Sequence, residues 1–326
     1  MFPRVLRVLG VALIVILAFE GALRGFGNRL GPPLTWYSMG AQTAVADMNR
    51  LSNAGMTSDV VFVGTSMIRW DVQISIIEAE VPSIRRASNM ALPAAQTPVV
   101  RKWLLDQVVP RLHPERVVWG VQSLDFNGGR RQPTIERYDS GLAVRTGFFA
   151  SLDQSLSSLF ALSRFRATLR NPRFVVDFLR AQPSEAGAEL EDLLSPTNVG
   201  HRADEGKTLT EFHRIQNAVL GGFVIGSREV ADFEYTIEAL KAQGIDVVVV
   251  LMPIPDDYVQ AHPNGEVDFS NFQDWLSGEV ASLGVPYFDH SRTMRSNTFF
   301  DYTHLASAGA REFSDLLAAD LLSLGW

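Results

Sequence analysis

Residues 59–70, Asp59-Val60-Val61-Phe62-Val63-Gly64-Thr65-Ser66-Met67-Ile68-Arg69-Trp70, read as a buried strand running straight into a Gly-Thr-Ser turn and a helix start. Val60 to Val63 are continuously apolar and β-branched or aromatic, the pattern of a parallel strand covered on both faces. Gly64 removes the Cβ where the backbone must turn sharply. Thr65 or Ser66 can then cap a helix that begins near Met67. A serine between a strand end and a helix start sits at the carboxyl edge of a parallel sheet, where open α/β folds place their sites. The helix N-terminus there favours developing negative charge. From this stretch alone Ser66 reads first as an N-cap and second as a nucleophile.

The flanking chain repeats the unit. Strands are expected over Val60–Gly64, Ile84–Met90 and Arg116–Val121, each followed by a loop and a helix, which makes a parallel sheet with right-handed crossovers. Ile245–Met252 is the clearest buried strand, and Val285–Asp289 is a fifth. Helices are expected over Val72–Glu80, Pro98–Val109, Ser227–Gln243, Asn271–Leu283 and Leu305–Leu324. The fold class is therefore α/β, a three-layer α/β/α arrangement around a five-stranded, mostly parallel sheet. Residues 130–225 are amphipathic in their first half and polar in their second. They read as a helical and loop insertion over the carboxyl edge, within a single domain spanning 31–326.

Composition narrows the partners. The formal charge of -7 and pI near 5.4, with no basic stripe, exclude a nucleic-acid partner. No cysteine is present, so thiol catalysis and disulfides are excluded. His201 and His213 have no third ligand at metal spacing, so no metal and no cofactor are expected. At the N-terminus Arg4 and Arg7 precede the uninterrupted apolar run Val8–Phe19. That order matches the n-region and h-region of an export signal, and no small-x-small cleavage pattern follows. Residues 1–30 are therefore expected to form an uncleaved signal anchor through the membrane, with the rest of the chain outside the cytoplasm.

The loops of the sheet edge carry the chemistry. Ser66 follows the first strand. Asp301 and His304 follow the last, in Asp301-Tyr302-Thr303-His304, just before the final helix. Serine, histidine and aspartate at one edge can serve as nucleophile, general base and orienting carboxylate. On these blocks the chain resembles the SGNH (GDSL-like) hydrolases, whose Gly-Asp-Ser is matched by Gly64-Thr65-Ser66 and whose Asp-x-x-His is matched by Asp301 to His304. The resemblance covers roughly 57–127 and 227–322. It implies a flavodoxin-like SGNH fold, catalytic roles for Ser66, Asp301 and His304, and an oxyanion hole from the N–H groups of Ser66 and Ala94 with the Gln122 side chain. Ala94 stands where the family has glycine. Gln122 stands near the family's asparagine, with Ser123 and Asn127 as alternatives.

The resemblance extends to membrane-anchored SGNH-like proteins of exopolysaccharide O-acetylation. It implies an extracytoplasmic serine esterase or O-acyltransferase acting on acyl, chiefly acetyl, esters of glycans, alongside a membrane-bound O-acyltransferase. Hydrolase and transferase stay open, because one acyl-enzyme serves both. The competing reading is a non-catalytic envelope scaffold or glycan-binding protein on the same fold. The separation of Ser66 Oγ from His304 Nε2 discriminates between them.

Overall fold

The computed structural model describes residues 2–26, 44, 47, 48, 51, 52, 54–129, 156, 159–170 and 202–326. The chain divides into two compact units, one drawn from Met1–Thr43 and Asp139–Leu193, the other from Ala44–Tyr138 and Leu194–Trp326. Most of the expected insertion over 130–225, including His201, lies outside the described residues, as does the spacer after residue 26.

In the larger unit the order is β1 (Val60–Val63), α2 (Ser66–Asp71), α3 (Ile74–Glu80), β2 (Ala87–Asn89), α4 (Thr97–Trp103, continued by a π-helical stretch Leu104–Val108 and by Val109–Leu112) and β3 (Arg116–Val121). The helix numbered α5 (Ala161–Arg170) belongs to the smaller unit. The larger unit resumes with α6 (Leu209–Arg214), α7 (Ser227–Ala242), β4 (Asp246–Leu251), α8 (Asp256–Gln260), α9 (Glu266–Leu283), β5 (Tyr287–Asp289) and α10 (Ser307–Ser323). The sheet runs β2-β1-β3-β4-β5 and every pairing is parallel. That is the flavodoxin-like order, in which the crossover reverses beside β1 and opens a crevice at the carboxyl ends of β1 and β3. Right-handed crossovers place α4, α7 and α9 on one face of the sheet, while α10 returns to pack on α2 and α3. The expected α/β class and five-stranded sheet are what the structure has.

The central strands are buried apart from the first residues of β3 and β4, Arg116 and Asp246. Two glycines let the strands approach the turn that carries Ser66. A Cβ on Gly64 would lie 2.3 Å from the Gly120 carbonyl oxygen, and one on Gly120 would lie 2.2 Å from Ile68 Cγ1. Gly64 also has φ +144, which L side chains rarely adopt. The π-helical stretch in α4 precedes Pro110, which has no N–H to continue an α-helical ladder.

The smaller unit corrects one expectation. Its helix α1 (Phe2–Phe26) is present, but among the described residues no helix is long and apolar enough to cross a membrane. Charge sets the limit. The run Val8–Phe19 lies between Arg7 and Glu20, and twelve helical residues span only about 18 Å at ~1.5 Å each, against roughly 30 Å of hydrocarbon. Glu20 is committed within the chain. It accepts the N–H groups of Ala161 and Leu162, at 2.7 and 2.9 Å, and an ion pair from Arg24 at 2.8 Å. The carboxylate thus satisfies the first free N–H groups of α5, and Leu23 packs beside it against Ala161 and Phe165.

Candidate active site

β1 delivers its chain to the sheet edge, and Gly64 turns it into α2. Thr65 is the N-cap residue, its hydroxyl accepting the Met67 N–H at 3.4 Å. With that role filled by its neighbour, Ser66 is the first helical residue. Its Oγ lies 2.8 Å from His304 Nε2. The two residues are 238 positions apart in the chain.

The loop after β5 holds the histidine from several directions. Asp301 Oδ1 accepts the N–H groups of Thr303 and His304, at 2.7 and 2.8 Å, and the Thr303 hydroxyl at 3.1 Å. Its other oxygen faces His304 Nδ1 at 2.9 Å. A carboxylate only accepts, so Nδ1 carries the proton and Nε2 presents its lone pair to the Ser66 hydroxyl. The backbone closes the loop, with Phe300 N–H donating to the His304 carbonyl at 2.8 Å and an antiparallel bridge joining Phe299 to Leu305. The Trp70 ring meets the imidazole edge-to-face with centroids 4.6 Å apart.

Electrostatics follow from this packing. Burial alone would push His304 down, but the Asp301 carboxylate and its hydrogen bond outweigh it, so His304 titrates above the ordinary imidazole value. Burial opposes the Asp301 charge as well. The facing imidazolium and the hydrogen bonds from His304 and Thr303 overcome it and hold Asp301 well below the usual carboxylate range.

The other predicted residues occupy the facing loops. Ala94 sits in a Pro93-Ala94 turn closed by Ala95 N–H on the Leu92 carbonyl at 3.0 Å, with φ +61. Alanine here holds the left-handed backbone that favours glycine. Gln122 is fully buried. Its side-chain amide donates to the Met252 carbonyl, its backbone N–H donates to Asp125 Oδ2 at 2.7 Å, and an amide has a second side-chain N–H to offer. The two alternatives are committed elsewhere. Ser123 Oγ is 2.9 Å from both Tyr258 OH and His262 Nε2. Asn127 donates to the Val219 carbonyl at 2.9 Å and accepts from Gly129 at 3.0 Å.

Sequence reasoning passed over three residues that hold α2. Asn89 donates to the Ile68 and Arg69 carbonyls at 3.0 and 3.3 Å, and Arg69 returns a bond to the Asn89 carbonyl at 2.7 Å. Asp71 Oδ1 accepts the Leu305 N–H at 3.0 Å. Trp70 reads from sequence as core and instead touches the base. The signal for Asp71 was a carboxylate five positions past Ser66 at the end of an apolar helix. His290, which reads first as a locally hydrogen-bonded residue and second as a cleft residue, is paired to Asp320 at 2.5 Å. Among the described residues no cluster of His, Asp and Glu can hold a metal ion.

No family model matches the chain, and no curated protein matches it. Solved structures similar to it include a protein from Bacteroides fragilis described as an acylhydrolase, 10% identical with a TM-score of 0.45, the match covering 89% of this chain and 99% of that one. A protein from Desulfitobacterium hafniense described as lipolytic and of the G-D-S-L family is 9% identical, with a TM-score of 0.39 and coverage of 81% and 99%. A carbohydrate acetylesterase from Sinorhizobium meliloti is 11% identical, with a TM-score of 0.37 and coverage of 81% and 98%. The likeness is one of fold, and what the site does rests on its own geometry.

Proposed function

We propose that the chain is a serine esterase or O-acyltransferase that works through an acyl-Ser66 intermediate on acyl esters of glycans, outside the cytoplasm. The hydrogen-bonded chain Ser66 Oγ–His304 Nε2 at 2.8 Å and His304 Nδ1–Asp301 Oδ2 at 2.9 Å carries this reading. Ser66 Oγ attacks the acyl carbonyl while His304 takes its proton, and Asp301 holds the imidazolium that forms. The N–H groups of Ser66 and Ala94, with the free side-chain N–H of Gln122, receive the oxyanion, at the N-terminal end of α2. Collapse breaks the acyl–oxygen bond, and His304 returns the proton to the departing sugar oxygen. Water or a second sugar hydroxyl, deprotonated by the same nitrogen, then attacks the acyl-serine and frees Ser66. Whichever nucleophile reaches that carbonyl first makes the chain a hydrolase or a transferase.

The extracytoplasmic assignment rests on Arg4 and Arg7 ahead of Val8–Phe19 and on the solvent-exposed apolar side chains Val11, Ile14, Val15, Leu17 and Phe19 of α1. In this reading α1 tethers the protein to the outer face of the membrane, periplasmic or extracellular, within reach of a membrane-bound O-acyltransferase. One experiment tests activity and location together. A membrane-impermeant serine-directed phosphonate is expected to label the protein in intact spheroplasts, and Ser66→Ala abolishes both labelling and turnover of a chromogenic acetyl ester. Labelling that survives in the Ser66→Ala protein overturns the assignment of the nucleophile. Labelling seen only after lysis overturns the location.

A further inference from the structure

The helix that begins with Ser66 ends with Asp71, and the carboxyl of Asp71 reaches the residue directly after the base. We propose that Asp71 is a positioning residue for the acyl-transfer reaction, holding the Leu305 N–H so that Ser66 and His304 are carried on one rigid connection. The inference rests on the proposed serine chemistry and adds to it the part that fixes the distance between nucleophile and base.

The geometry is direct. Asp71 Oδ1 accepts the Leu305 N–H at 3.0 Å across 234 positions of sequence. Apart from the Ser66–His304 bond itself, the other bonds near His304 run within the loop, from Asp301, Thr303, Phe299 and Phe300, or to it from the Asp204 and Gly206 N–H groups. They shape the loop without fixing its place relative to α2. The Asp71 bond fixes it, supported by the Trp70 ring one residue earlier, packed on the imidazole. Two successive side chains at the end of a six-residue helix therefore grip two successive residues of the base loop.

The form of the carboxyl fits a holding role better than an electrostatic one. Asp71 is fully buried, and its Oδ2 has no hydrogen-bond partner. Burial pushes its carboxyl well above the usual carboxylate range. His304 and the Leu305 N–H oppose that rise, and Asp301 adds to it. A neutral Asp71 leaves Asp301 as the one carboxylate charge against His304, and an uncharged amide should do the same mechanical work. That makes asparagine the informative replacement.

Three variants are compared with wild type by phosphonate labelling at Ser66, by kcat and KM on an acetyl ester, and by thermal unfolding across pH. Asp71→Ala is expected to lose tenfold or more in labelling rate and kcat, with KM within about twofold. Asp71→Asn is expected to recover the rate to within about threefold of wild type. Asp71→Leu, which keeps the bulk without the acceptor, stands in for the alanine variant where that protein does not fold. The Tm of Asp71→Asn relative to that of wild type should rise as pH is raised above the ordinary carboxylate value of about 4. There the unfolded wild-type carboxyl releases its proton before the folded one, whose titration is raised, so wild-type stability falls as pH rises. Wild-type labelling by a folded variant lacking the acceptor overturns the proposal, as does a folded Asp71→Asn protein no faster than that variant. A wild-type protein that shows no Ser66-dependent labelling sinks the esterase reading instead. Amide exchange at Leu305, protected in wild type and in Asp71→Asn, still tests the staple in that case, and a fast-exchanging Leu305 in wild type overturns it.

Discussion

Among the described residues two serine–histidine pairs stand out, and their hydrogen bonds are almost the same length. Ser66 meets His304 Nε2 at 2.8 Å, and Ser123 meets His262 Nε2 at 2.9 Å. What differs is everything behind and around them. His304 turns Nδ1 to the Asp301 carboxylate, whereas His262 turns Nδ1 to the Tyr258 and Val259 carbonyls at 3.2 and 3.1 Å. Burial wins at His262 and lowers its titration below the ordinary value, while at His304 the carboxylate wins and raises it. The Ser123 hydroxyl is answered on two sides, by Tyr258 and His262, and is fully buried. Ser66 is only half-buried, and among the described residues its hydroxyl bonds His304 alone. A serine beside a histidine is thus a structural clasp or a reactive pair according to the third group and the access, and only one of these two has both. A second histidine–acid contact makes the same point from the other side. His290 uses Nε2 for Asp320 and turns Nδ1 to Thr293 at 3.3 Å, so no nitrogen is left facing a cleft.

The largest expected effect separates the two pairs outright. Asp301→Asn leaves the imidazole packed but removes the acceptor that selects its tautomer, and should lower kcat by about 10⁴-fold. Ser123→Ala should leave labelling at Ser66 in place and lower the Tm instead. It strands a buried histidine nitrogen, at about 1–3 kcal/mol, and removes one partner of the Tyr258 hydroxyl, which still accepts the Leu124 N–H. A Ser123→Ala protein that is stable but unlabelled would exchange the roles of the pairs.

The second effect is in pH, and the signs differ between the histidines. His304 must be neutral to accept the serine proton, and its titration is raised. The acid limb of kcat/KM should therefore lie above the ordinary imidazole value of about 6.5, and rate should fall as pH drops through that point. His262, with its folded value lowered, stays neutral there and adds nothing to the rate profile. Its mark is on stability. Below about pH 6.5 the unfolded imidazole takes a proton that the folded one refuses, so stability falls with falling pH. The Asp301 contribution, from a lowered value, is lost at more acid pH, below the ordinary carboxylate value of about 4. An acid limb below 6.5, measured on the acetyl ester, would show that Asp301 does not dominate the His304 environment.

How much of this was legible in sequence follows from which interactions are local. β3 and β4 were plain because Val117-Val118-Trp119 and Val247 to Val250 are apolar on both faces. β2 was expected from Ile84 and begins at Ala87, because Asp59 Oδ2 takes the N–H groups of Arg85 and Arg86 at 2.8 and 2.9 Å. β5 was expected from Val285 and begins after Pro286, which has no N–H for the ladder. The last helix was expected from Leu305 and begins at Ser307, since the Leu305 N–H goes to Asp71 and Leu305 bridges Phe299. At β2 and the last helix a side chain or neighbour from far along the chain takes a backbone group that local pattern assigns to an element. Ser66, Asp301 and His304 were readable because they sit at strand ends and helix starts, where the fold itself sets their place. Asp71, Trp70 and the Ser123–His262 clasp depend on which loops meet, and no spacing in the chain announces that.

The smallest expected effect concerns the open side of Ser66, the feature that Ser123 lacks. Ala94 faces solvent in a left-handed backbone, φ +61, following a proline. The turn it closes asks for glycine at that position, and a Cβ in left-handed backbone costs roughly 1–2 kcal/mol. Replacing it by glycine removes that cost and adds about 0.4–1 kcal/mol of unfolded-state freedom. The relief matches or exceeds the penalty, and Ala94→Gly should raise stability by about 0–1.6 kcal/mol, read as a Tm rise of at most a few degrees. A fall in Tm would mean that the Ala94 methyl is held by packing and the left-handed turn is not strained. The open side of Ser66 would then be shaped by side-chain contact, as the closed side of Ser123 is.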